Sequence, residues 1–92
     1  MKIYIVTWYY HSDDDGGVDD NGVCKKAFTD KKSAQEYLLE AAEDDFNTWC
    51  ADEYEPEMMH EDDYAKVWFD GASYEYRVVS VELERSLRSL LV

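Results

Sequence analysis

Residues 2–11, KIYIVTWYYH, constrain the fold more than any other stretch. In an extended chain Ile3 and Ile5 project to one side, and Tyr4, Val6, Trp8 and Tyr10 to the other. A strand apolar on both sides belongs inside a sheet, with neighbours at both edges and cover on both faces. Ninety-two residues must supply all of that. A chain of this length forms one domain, residues 1–92, and buries only roughly 60–65% of its unfolded surface. Three Trp, three Phe and eight Tyr make that core economical, because each ring can bury on the order of 150–250 Å².

The partners of this strand can be read along the chain. Residues 12–22, SDDDGGVDDNG, are dense in turn formers and predict a loop. Residues 23–28, VCKKAF, predict a short return strand. Thr29 is the expected N-cap of a helix, with Asp30 favourable in its first turn. Ala34, Tyr37, Leu38, Ala41, Ala42, Phe46, Trp49 and Cys50 then follow at helical spacing and form one apolar stripe. Gln35, Glu36, Glu40, Glu43 and Asp44 lie largely off it, so an amphipathic helix over about 30–50 is expected on one face of the sheet.

Residues 51–63, ADEYEPEMMHEDD, hold the only proline and read as a loop, with a helical turn after Pro56. Residues 64–69 and 73–83 predict two more strands. Asp70-Gly71 between them is the signal of a type I′ hairpin. Leu83, Leu87, Leu90 and Leu91 suit a short terminal helix. The expected fold is α+β: a four-stranded, mostly antiparallel sheet in the order β-β-α-β-β, with one helix on one face. The second face then needs cover, from the 51–63 segment with Met58 and Met59, from the leucine tail, or from a second copy in a homodimer.

The net charge of −13, from 22 acids against nine bases, bears directly on function. It argues against direct contact with nucleic acid or an anionic membrane, both of which need a positive footprint. Lys25, Lys26, Lys31 and Lys32 are the nearest approach to one. No apolar run is long enough to span a bilayer, and no secretory leader is apparent at residues 1–6. A cytoplasmic protein is expected, with Cys24 and Cys50 as reduced thiols filling small core sites.

Catalytic and metal signals are weak. A calcium loop needs oxygen ligands at alternating positions, glycine at the sixth and glutamate at the twelfth. Counted from Asp13 the fifth position is Gly17; counted from Gly17 the twelfth is Phe28. His11 and His60 sit among carboxylates but show no zinc spacing. They read as surface histidines whose protonation the acids favour. No nucleophile elbow or phosphate-cradling loop is present, so neither an enzyme nor a cofactor is expected. The aromatic residues Trp8, Trp68, Phe69 and Tyr76 read as core, not as a base-stacking platform.

Fifteen of the 22 acids fall in two segments. Asp13, Asp14, Asp15, Asp19 and Asp20 form the first. Glu43, Asp44, Asp45, Asp52, Glu53, Glu55, Glu57, Glu61, Asp62 and Asp63 form the second, with no Lys or Arg among them. Such an array keeps an aromatic-rich protein soluble. It also suits a basic, nucleic-acid-binding cleft, since duplex DNA carries about one negative charge per 1.7 Å of axis.

Ile3-Tyr4-Ile5-Val6-Thr7, Phe28-Thr29-Asp30-Lys31-Lys32 and Ala34-x-x-Tyr37-Leu38 resemble segments of short uncharacterised proteins of phages and mobile elements. In size and acidity the chain is similar to the DNA-mimic inhibitors of the anti-CRISPR and anti-restriction type. The resemblance implies an inhibitor in the cytoplasm of a bacterial host, and the charge distribution implies a non-enzymatic protein that blocks a basic partner through the fifteen acids. The alternative is a small assembly module that dimerises through its aromatic sheet face.

Overall fold

The computed structural model describes residues 2–13 and 17–82. Its elements are β1 (Lys2–Ser12), β2 (Val18–Phe28), α1 (Lys31–Ala51), β3 (Glu57–Glu61), β4 (Tyr64–Phe69) and β5 (Ala72–Glu82). The described residues are α+β with one helix on an antiparallel sheet, as the patterning implies. The sheet has five strands, not four, in the order β2-β1-β5-β4-β3.

The doubly apolar first strand lies inside the sheet. β1 pairs with β2 on one side and with β5 on the other, from Lys2–Glu82 to Ser12–Ala72. The added strand is β3, in the acidic stretch expected to be a loop. It is fully exposed yet pairs residue for residue with β4, from Glu57–Trp68 to Glu61–Tyr64. Backbone pairing to β4 outweighs a composition that disfavours strands. The return strand is also longer than expected and begins at Val18, so Asp19 and Asp20 are strand residues opposite His11 and Tyr10.

Three local expectations change as well. Asp30, not Thr29, caps α1: its Oδ2 accepts from the Ser33 backbone N–H and from the Ser33 hydroxyl, both at 2.9 Å. Gly71 has φ +88°, but Asp70 keeps negative φ, so the β4–β5 turn is not type I′, which needs both residues positive. Cys50 is exposed, and only Cys24 packs against the core. The expected terminal helix lies outside the described residues.

α1 carries the chain from one sheet edge to the other. Ala34, Leu38 and Ala42 are fully buried against Val6, Ala65, Val67 and Tyr76. Three small or medium side chains on the helix let it approach the sheet closely, and a frame of aromatics closes the sides: Phe28 on Tyr37, Trp49 edge-on to Phe69, and Tyr10 against Tyr74. At about 1.5 Å per residue, the 21-residue helix spans about 30 Å, close to the length of the long strands.

Trp8 depends on its neighbour across the ladder. Gly22 of β2 lies opposite it, and a Cβ there would sit 2.8 Å from the indole carbons Cε2 and Cζ2. The indole covers bare backbone at the sheet edge. Gly22→Ala is therefore expected to displace Trp8 and lower stability by about 1–3 kcal/mol. Chemical denaturation with tryptophan fluorescence measures this, and an unchanged midpoint would contradict it.

Candidate functional site

The strand register and the helix direction divide the molecule into two ends. At one end the Asp13 backbone N–H donates to the Gly71 carbonyl at 2.7 Å, and the last turn of α1 meets Phe69 through Trp49. This end collects Asp13, Asp19, Asp20, Asp52, Glu53, Glu55 and Glu57, with Asp44 and Asp45 two turns back along the helix. Glu43 is exposed on the same half of α1. Asp14 and Asp15 lie outside the described residues. Glu61, Asp62 and Asp63 lie away from this end at the β3–β4 turn, level with Arg77 and Val78 of β5, where Gln35 donates to Asp63 at 2.8 Å and the Lys31 ammonium lies 3.3 Å from it. The described lysines and arginine are elsewhere: Lys2, Lys31 and Lys32 towards the opposite end, Lys25 and Lys26 beside the β2 bulge, Lys66 and Arg77 in mid-strand.

Helix physics runs against this placement. The C-terminus of a helix carries partial negative charge and favours cations. Here the last turn has no base, Asp52 is the C-cap, and Glu53 follows it. Lys31 and Lys32 open the helix, where the dipole favours acids. Glu53 also has φ +69°, the left-handed conformation that glycine adopts at least cost. Its N–H donates to the Cys50 carbonyl at 3.1 Å and the Tyr54 N–H donates to the Trp49 carbonyl at 3.0 Å, which together make a Schellman closure. Tyr54 then stacks on Phe69, with centroids 4.4 Å apart, and holds the turn down.

On β1 and β2 the acids are held by hydrogen bonds. The Tyr9 hydroxyl donates to Asp19 at 2.9 Å, and the His11 ring bridges Asp19 at 2.5 Å and Asp13 at 2.8 Å. Those two carboxylates, Asp19 foremost, raise the His11 pKa above its ordinary value. The His11 and Tyr9 hydrogen bonds hold Asp19 below the usual carboxylate range. His11 is thus a partly exposed histidine whose charged form the acids favour, as its neighbours in sequence imply.

Asp20 and Asp45 both bear on Tyr74 on the helix side. Asp20 lies opposite Tyr10, whose ring contacts Tyr74 at 4.7 Å. Burial raises the Tyr74 pKa, and the charges of Asp45, Tyr10 and Asp20 add to it. Asp45 is half-buried beneath, where its Oδ2 accepts a short hydrogen bond from the Tyr76 hydroxyl. Burial pushes the Asp45 carboxyl up despite that bond and pushes the Tyr76 phenol up strongly. One acid from each segment therefore flanks the same tyrosine.

The sequence held a sign of Asp45 that composition obscured: it falls on the apolar stripe, three residues after Ala42 and four after Ala41. Trp68 departs from its expected core role. By register it lies on the face away from α1, with Lys66 Nζ 5.5 Å from its ring, and Arg77 lies 4.8 Å from Tyr64 beside it. Burial and the Glu75 hydrogen bond push Tyr64 up to about 12. Among the described residues no three His, Cys, Asp or Glu converge on a site that could hold a metal, and no helix is long and apolar enough to cross a membrane. Comparison with known protein families, curated proteins and solved structures gives no match.

Two outcomes follow from these local costs. Glu53→Gly removes both a left-handed side chain and a charge at the helix C-terminus, and should stabilise the protein by about 1 kcal/mol or more in denaturant unfolding. The second concerns pH. The folded-state pKa of Asp45 is raised, so folding favours its protonated form. Its ionisation therefore costs stability that is absent below about pH 3.9 and grows as pH rises through the folded value. Asp45→Asn keeps an acceptor for Tyr76 and should gain on the wild type across that window. Parallel unfolding curves from pH 3.5 to 7 would show it, and a constant difference would contradict it.

Proposed function

We propose that this is a non-enzymatic binding protein whose acidic end blocks a basic, nucleic-acid-binding partner, of the restriction or CRISPR effector class that its size and charge suggest. The observation that carries the reading is Glu53. A charge that opposes the helix dipole, on a backbone conformation suited to glycine, lowers stability twice at one position. Asp45, half-buried with its charge disfavoured, adds a third cost nearby. Sequences break local rules of this kind at functional positions. A surface shaped for solubility alone would mix the signs of its charges. Here nine described acids, Asp13, Asp19, Asp20, Asp44, Asp45, Asp52, Glu53, Glu55 and Glu57, crowd towards one end, with His11 between two of them and the described lysines and arginine elsewhere. Such an array steers a basic partner over distances near the Debye length, about 8 Å at physiological ionic strength.

A second reading rests on the face away from α1. Ile3 pairs with Val81 and Ile5 with Val79 on that face, and Val79 is 40% exposed. A homodimer would cover this apolar block.

Titration against a restriction enzyme, a CRISPR effector or a nucleoid protein tests the first reading. Binding should weaken steeply as salt rises. Changing Asp44, Asp45, Glu53, Glu55 and Glu57 together to their amides should abolish it. Binding that survives both treatments would sink the proposal. Sedimentation separates the second reading, which requires a concentration-dependent dimer insensitive to salt.

A further inference from the structure

A cleft of about 350 Å³ opens between the middle of α1 and the sheet, beside Asp44 and Asp45 and adjoining the acidic end. Trp8, Tyr37, Tyr74 and Tyr76 give it aromatic walls, Asp44 and Asp45 supply carboxylates, and Cys24 and Ala41 complete the lining. The rings belong to three elements, β1, α1 and β5, so the packing of the core fixes their relation. Tyr74 and Tyr76 are nearly parallel, 15° apart with centroids at 6.2 Å. Among the described residues no cation lines the cleft. The nearest described one bearing on its rings is Lys26, whose Nζ is 6.0 Å from the Tyr37 centroid, at the outer limit of cation–π attraction.

The chemistry of this lining selects its ligand. Anions are repelled by two adjacent carboxylates. A neutral apolar group would fill the space but strip water from Asp45 without pairing it. Calcium and magnesium need about six oxygen ligands in a shell, and two neighbouring carboxylates with phenols do not build one. A planar cation meets every requirement. A guanidinium stacks on ring faces, is weakly hydrated, and presents a fork of donors to carboxylate oxygens. Tyr76 occupies Asp45 Oδ2, which leaves Oδ1 and the Asp44 carboxylate to accept. An ammonium is compact and strongly hydrated, and gains less from aromatic walls.

We propose that this cleft is a receptor for a single arginine side chain of the basic partner, gripped between Trp8, Tyr37 and Tyr74 and paired with Asp44 and Asp45. The inference rests on the binding role of the acidic end and adds to it an anchor: long-range attraction brings the partner in, and one buried arginine sets its register. Desolvation of Asp45, which disfavours its charge in the free protein, is offset once a cation fills the cleft.

The test uses Nα-acetyl-arginine methylamide as probe, titrated into the full chain and followed by nitrogen–proton NMR. Saturable binding is expected, with shifts concentrated at the Trp8 indole N–H and the backbone amides of Tyr37, Asp45 and Tyr74. The neutral citrulline analogue should not bind, and the lysine analogue should bind more weakly. Asp45→Asn, which keeps an acceptor for Tyr76, should weaken the arginine probe about tenfold or more. The triple variant Glu53→Gln, Glu55→Gln, Glu57→Gln leaves the lining intact and should keep the probe affinity. Equal affinity in Asp45→Asn and wild type overturns the cleft, whatever the acidic surface does. So does an equal loss in the triple variant, because the probe then reads diffuse charge. A probe that binds as described while every basic protein fails to bind leaves the cleft standing and removes the surface reading.

Discussion

β1 and β5 pair over eleven residues, and the rest of the molecule is arranged around that ladder. Each continues outward to one further pairing, β1 to β2 and β5 to β4, with β3 added beyond. The register decides which side chains share a face. On the helix side it lines up Tyr4, Val6, Trp8 and Tyr10 with Ser80, Val78, Tyr76 and Tyr74. That row is the bed for Ala34, Leu38 and Ala42 of α1. A slip of one residue would turn the row to the opposite face and leave α1 without a partner.

The same arrangement decides where charge gathers. The helix runs antiparallel to β2 and ends beside the β1–β2 and β4–β5 hairpin ends. Two acidic segments distant in sequence are thereby brought to one end. Glu61, Asp62 and Asp63 stay apart from it at the β3–β4 turn, where Lys31 and Gln35 engage Asp63. The acidic surface is thus smaller and more concentrated than the fifteen residues suggest. Its acids differ in kind. Glu53 and Glu55 are exposed, Asp19 is steadied by Tyr9 and His11, and Asp45 sits half-buried in an aromatic cleft. Exposed charges attract at a distance, whereas a half-buried one can select what fits against it.

The fold was legible where periodicity was strong. The helix at 30–50, the strand at 64–69 and the interior position of residues 2–11 follow from spacing alone, because a buried stripe must recur at the period of its backbone. β3 was hidden because its five exposed residues, EMMHE, carry no alternating pattern. Its pairing comes from β4, an interaction between segments and not a property of either. The extension of β2 through Asp19 and Asp20 was hidden likewise, since turn-forming residues there are held in a ladder with β1. Glu53 in the left-handed region had no sequence sign, because glycine is the residue that marks such a position.

Charge, size, fold class and the presence of one amphipathic helix on a sheet belong to the sequence by itself, since each depends on composition or on local period. It also determined that acids gather in two runs. Whether the runs adjoin was decided by tertiary structure, through the register of β1 with β5 and the direction in which α1 crosses the sheet. The same packing turned Asp45 from one acid among 22 into the carboxylate of an aromatic cleft. The physical reason is the same in both cases: burial and neighbourhood are relations between distant segments, and no window of sequence contains them.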